Sequence, residues 1–252
     1  MLRPKNRLQQ LIAENTAGGD RRGLSIRQQG EGGVEILVYD VIDPWYGVSA
    51  KGFSDAIANI GTTPLTVRLN SPGGDVFEGR AIASMIRALP GPTCCVIDGL
   101  AASAASTIAV AANTLEMAVG SFLMVHQSWV LTMDNATGLR SMADLLDKID
   151  QSIAADYAAK CGCTQAEAIA WMQAETWFTA EEALACKLCD AIDSAAEEAA
   201  EGASEMHNFN LSAFDRVPKA LTTPKPKRNT APDAEAIRAQ AARRLRLLDH
   251  AA

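Results

Sequence analysis

Residues 98–107 read DGLAASAAST. They follow TCCVI at 93–97, a short β-branched and cysteine run that fits a buried strand. A strand, a glycine and then a small-residue helix predict a strand-to-helix turn around Gly99, with the helix continuing to about Ala112. Glycine and alanine let such a turn pack closely. A serine on it sits at a helix N-terminus, where the N–H of the next residue faces any carbonyl the hydroxyl attacks. Ser103 and Ala104 fit those two places, and Ser106, one turn later, reads as structural. The plainer alternative is a packed helix with no exposed serine.

Outward from that stretch, strand-like and helix-like segments alternate over residues 33–193. Val34–Tyr39, Leu65–Leu69, Thr93–Ile97, Leu115–Ala118 and Phe122–Val125 read as strands. Ser49 is placed to cap a helix through Ile60, Val76–Leu89 carries apolar residues at helical spacing, and Gly138–Lys160 is a long amphipathic helix. Thr164 with Glu167 and Thr179 with Glu182 form two capping boxes. This alternation predicts an α/β fold with crossover connections.

Composition shifts at both ends. Residues 1–32 are basic and glycine-flanked and read as an N-terminal arm. Residues 194–205 read as an Ala/Glu/Gly linker, and from Asp215 to His250 the tail carries nine Lys/Arg against four Asp/Glu. The expected organisation is an arm (1–32), a domain (33–193) and a linker with a basic tail (194–252), the tail being either a solvated appendage or an interaction arm. A net charge of −7 argues against nucleic acid or an anionic membrane as partner. With no span-length apolar run and no secretory leader pattern at the N-terminus, a cytoplasmic location is expected.

The chain has six cysteines and three histidines. Cys161-Gly-Cys163 with Cys186 and Cys189 could supply four zinc thiolates, but a C-x-C arm is an uncommon half of such a site. Small buried hydrophobes are the simpler reading, and no metal or cofactor is expected.

A serine nucleophile needs a base. His207 and His250 lie in the tail, which leaves His126, at the end of the strand in LMVHQSW. A Ser/Lys dyad is the competing solution, yet residues 52–147 contain no lysine. Before the Ser103 stretch comes Asn70-Ser71-Pro72-Gly73-Gly74-Asp75, between a strand and a helix, where two glycines can turn backbone N–H groups toward an anion.

The order NSPGG, GLAASA, MVHQ and ETWFTAEEAL…CDAI resembles the proteolytic subunit of Clp protease, especially the Clp-like head-maturation proteases of tailed phages. The resemblance covers roughly residues 34–192. It implies a Clp/crotonase-like fold of repeated β-β-α units with a protruding long helix, and a serine endopeptidase. Ser103 would be the nucleophile, His126 the base, and the N–H groups of Gly74 and Ala104 the oxyanion hole. The family's aspartate is replaced here by Glu175, which could orient an imidazolium as aspartate does. Asp150 and Asp156 on the long helix are the fallback acids.

The resemblance further implies protein or peptide substrates and a homo-oligomeric ring. In the phage branch the substrates are scaffold or capsid proteins inside the prohead, in the host cytoplasm, processed without an ATPase. A host-type peptidase with an ATPase partner, a crotonase-type acyl-CoA enzyme and a scaffold-binding protein on an inactive protease fold are the alternatives.

Overall fold

The apolar runs of the middle region become strands of one sheet. The computed structural model describes residues 24–28, 33–193 and 209–222. Its strands are β1 (Leu24–Gln28), β2 (Val34–Val38), β3 (Leu65–Ser71), β4 (Thr93–Ala102), β5 (Thr114–Ala118), β6 (Phe122–Val125), β7 (Thr176–Thr179) and β8 (Ala191–Asp193). β2, β3, β4, β5 and β8 pair in parallel, and β1 joins β2 antiparallel. Parallel neighbours need crossovers, which helices supply. They are α1 (Ala50–Ile57), α2 (Val76–Ala88), α3 (Ala104–Ala109), α4 (Ala136–Cys161), α5 (Gln165–Gln173) and α6 (Ala180–Ala185). This is the α/β fold expected.

β4 changes partner along its length. Cys94–Ile97 pair with β5, whereas Leu100–Ala102 pair with β6. β7 then adds antiparallel to β6, with Val125 opposite Thr176. The second half of β4 therefore exchanges β5 for β6 while Ala101 still opposes Ser71 of β3, and Ser103 stands at its tip.

Caps fix the helix starts. The Asp75 carboxylate accepts from Phe77 N–H and Glu78 N–H and begins α2. Both capping boxes are formed, at Thr164/Glu167 for α5 and Thr179/Glu182 for α6. α1 begins after Ser49 as expected but ends at Ile57, short of Ile60. The first half of α4 is largely solvent-exposed, while Ile153, Ala154, Tyr157 and Cys161 bury its second half in the core. That is the geometry of a helix extending from the globular body.

Other details also differ from the sequence reading. The turn is not at Gly99: β4 runs on through Ala102, and the chain reverses at Ser103 itself. α3 is also shorter than expected, ending at Ala109. Part of the expected N-terminal arm, Leu24–Gln28, is a sheet strand. Cys161 and Cys163 are joined as a disulfide, Cys186 and Cys189 are free, and among the described residues no group of three or more His, Cys, Asp or Glu could hold a metal ion. Among the described residues, too, no helix is long and apolar enough to cross a membrane.

The first compact unit extends to Pro218, past the boundary expected at 193, so that 209–218 pack within it. The rest of the expected linker and most of the tail, 194–208 and 223–252, lie outside the described residues, as do 1–23 and 29–32. A second unit, Lys219–Ala252, is described only at the short helix α7 (Lys219–Thr222).

Candidate active site

Ser103 has φ 56° and ψ −124°, a conformation that side-chain-bearing residues rarely adopt. Such strain persists only where neighbours over-determine it. Here the Ser103 N–H donates to the Met124 carbonyl at 3.0 Å, tying the turn to β6. The Ser103 carbonyl accepts from the Ser106 N–H at 2.9 Å and from Ser106 Oγ at 2.6 Å. Ser106, fully buried, also bonds Tyr157 Oη of α4 at 2.7 Å.

The small residues have a packing reason as well. α2 lies against α3 through Gly79, and a Cβ on that glycine would stand 3.0 Å from Ala104 Cβ. Larger side chains at either position would push the helices apart and carry Ser103 with them.

His126 directly follows β6, two residues beyond the Met124 that anchors Ser103. Its Nε2 lies 2.7 Å from Ser103 Oγ, so an imidazole lone pair at that atom can take the hydroxyl proton. Burial holds the imidazole below its ordinary value, while the carboxylates of Glu175 and Asp150 pull in the opposite direction. Lys148, the first lysine after the lysine-free stretch, is exposed on α4.

The glycine turn meets this pair from the β3 side. Gly73 and Gly74 have φ of 89° and 147°. A Cβ on Gly73 would lie 2.7 Å from Ser103 Cβ and 3.0 Å from Ala104 N, so only glycine allows the approach. The turn is held by Ile42, whose N–H donates to the Gly73 carbonyl at 2.9 Å and whose carbonyl accepts from Asp75 N–H at 2.8 Å. These bonds pass over the Gly74 N–H. The Ala104 N–H opens α3, where no carbonyl one turn earlier exists to accept it.

Glu175 precedes β7, so continuing the Val125–Thr176 pairing by one step places it opposite His126. No hydrogen bond joins the two. Glu175 Oε1 accepts from Trp177 Nε1 at 3.2 Å and Arg216 N–H at 2.7 Å, and Oε2 accepts from Asp215 N–H at 3.0 Å. Of the fallback acids, Asp150 accepts from Ser128 N–H (2.7 Å), Ser128 Oγ (2.6 Å) and Gln127 Nε2 (3.2 Å), bracing the loop just after His126. Asp156 pairs with Arg80 at 3.5 Å and Arg87 at 3.4 Å, away from the imidazole.

Segment 209–218 escaped the sequence reading. Its trace was an apolar pair three apart, Leu211 and Phe214, in an otherwise charged tail; both are buried.

The family profile described as Clp protease matches residues 57–195, just over half of the chain and the stretch that contains all these groups except Ile42 and the 209–218 segment. The chain belongs to the Clp protease family. Members of this family are serine peptidases, which places this chain among the hydrolases. It is 30% identical over 139 residues to ATP-dependent Clp protease proteolytic subunit 1 of Protochlamydia amoebophila, covering 54% of this chain and 68% of that one. It is 32% identical over 126 residues to ATP-dependent Clp protease proteolytic subunit 2 of Treponema denticola, covering 49% and 62%. It therefore spans about two thirds of the length of these curated relatives. Among solved structures, a variant of ClpP1 from Listeria monocytogenes superposes with a TM-score of 0.56 at 23% identity, covering 64% of this chain and 91% of that one, which shows the shared fold.

Proposed function

We propose that this Clp-family protein is a serine endopeptidase in which Ser103 attacks the scissile carbonyl. His126 takes the hydroxyl proton and later gives it to the leaving amine. The N–H groups of Gly74 and Ala104 receive the negative charge of the tetrahedral intermediate, and water then hydrolyses the acyl-enzyme on Ser103. Glu175 is the acid that steadies the imidazolium once it reaches Nδ1. The observation that carries this reading is the 2.7 Å contact of His126 Nε2 with a serine on a strained strand-to-helix turn. The family assignment favours this chemistry over the acyl-CoA alternative. Mass-mapped labelling by a fluorophosphonate tests it: the adduct belongs on Ser103, and an adduct elsewhere or none contradicts it.

The substrates we propose are proteins or peptides, met inside a homo-oligomeric ring in the cytoplasm. The finer reading is phage head maturation, with scaffold or capsid proteins as substrates. Its support is the motif set ETWFTA and DPWYGVSA together with the appended basic tail. A competing reading, a subunit that works with an ATPase, is favoured by the relatives, which are named ATP-dependent Clp protease proteolytic subunits. Cleavage of the co-encoded scaffold protein without ATP supports the first, and a strict requirement for an ATPase partner supports the second.

A further inference from the structure

Residues 209–218 lie beyond the span matched to the Clp family, yet they end on its candidate active site. Phe214, only 7% exposed, sets its ring edge-on to two others. The centroids are 5.4 Å from His126 at 84° and 5.7 Å from Trp177 at 80°. The next two residues each give a backbone N–H to one oxygen of Glu175, Asp215 to Oε2 and Arg216 to Oε1. The Arg216 guanidinium donates to the Ala174 carbonyl at 2.6 Å. Ala174 closes α5, and a cation is well placed on the carbonyls of a helix C-terminus.

These contacts are of the kind by which a pocket reads a peptide. Consecutive main-chain amides meet a carboxylate, one ring fills the gap between two others, and a guanidinium finds a carbonyl. Glu175 itself has φ 47°, held by its N–H to the Met172 carbonyl at 3.1 Å, which turns the carboxylate toward this segment.

We propose that Ala174, Glu175, Trp177 and His126 form a docking site for a peptide with an aromatic residue and, two residues on, an arginine, filled in cis by Phe214-Asp215-Arg216, and that filling it keeps Glu175 from His126. The docking stands on these contacts alone; its consequence for activity rests on the Ser103/His126 reading above. While the segment is seated, Glu175 holds two main-chain N–H groups and the Trp177 indole, against the single Nδ1–H that His126 could offer. Once the segment leaves, the carboxylate is released to that imidazole, and the base gains its orienting partner. Phe214, Asp215 and Arg216 thus act through Glu175 and are positioning residues.

The test uses the full chain with two substitutions. Phe214→Ala empties the slot between the rings, and Arg216→Pro deletes one N–H donor to Glu175 and the guanidinium bond to Ala174 while retaining the Phe214 ring. Each raises the rate of fluorophosphonate labelling about tenfold. In a Ser103→Ala background, the titration of the His126 imidazole, followed by its nitrogen resonances, moves upward in both variants as the Glu175 carboxylate reaches it. The other carboxylate acting on His126, Asp150 on α4, is kept in both variants. A synthetic peptide of residues 210–218 added to Phe214→Ala brings the labelling rate back to that of the parent. Unchanged or slower labelling in the variants overturns the proposal, because the segment then idles or supports the acid. Should no form of the chain label, the endopeptidase reading fails, and the His126 titration decides the docking by itself: an unmoved titration overturns it.

Discussion

The Ser103 N–H donates to the Met124 carbonyl at 3.0 Å, and through this bond the strained turn and the histidine strand are held as one piece. β4 reaches β6 only because its second half leaves β5, so the serine and its base arrive at the ends of neighbouring strands, one residue apart in register. The site is thus carried by sheet pairing, the most rigid element available, rather than by loops.

Gly73→Ala is expected to damage both stability and activity. The added methyl would meet the Ala102 carbonyl oxygen at 2.4 Å and Ser103 Cβ at 2.7 Å, on a backbone with φ 89°. Strain and overlap together cost about 2–4 kcal/mol. Denaturant unfolding measures the first effect, and the labelling rate of the remaining folded protein measures the second.

Ser106→Ala separates structure from chemistry. It removes the hydroxyl that joins the Ser103 carbonyl to Tyr157 Oη in a fully buried place. The expected loss is about 1–3 kcal/mol of stability, from buried polar atoms left with fewer partners. Labelling of Ser103 persists in the folded fraction; its complete loss there would move Ser106 into the chemistry.

Asp98 opens the DGLAASAAST stretch but serves the sheet. It takes a bidentate pair from Arg68 and a hydrogen bond from the Tyr39 hydroxyl, all partly buried. Asp98→Ala leaves the Arg68 charge without its main partner and is expected to cost about 1–3 kcal/mol. Thermal unfolding checks this, with no change in which serine is labelled.

The pH dependence follows from His126. The base must be neutral to take a proton, and burial lowers its affinity for one more than Glu175 and Asp150 raise it. Labelling should therefore hold at pH 6.5 and fall only below it. In Asp150→Asn one opposing carboxylate charge is gone, so the acid limb moves to still lower pH. Stability follows the same sign: the unfolded chain takes up the proton first, so folding weakens as pH drops below about 6.5. A limb above pH 6.5 would mean that the carboxylates outweigh burial.

Much of this was legible from local pattern. The strands and capping boxes rest on patterns a few residues long, and Ser103, His126 and the glycine pair stood out as candidates by their places at strand ends; the β4–β6 pairing that brings them together joins distant segments. Gly99 misled because glycine before a serine-bearing helix suggests a turn. In the fold it is simply a β4 residue, and the required positive φ falls on Ser103, where the β6 bond and α3 enforce it. The partners of Glu175 were out of reach for a different reason. They come from main-chain N–H groups 40 and 41 residues away, and backbone donors carry no side-chain signature.

The most direct test of the central claim is active-site labelling of the purified full chain with a fluorophosphonate, mapped by peptide mass in parallel with the Ser103→Ala chain. The account predicts one adduct, on the peptide carrying Ser103, absent from Ser103→Ala together with peptide cleavage. Labelling or cleavage that survives in the Ser103→Ala chain would contradict it.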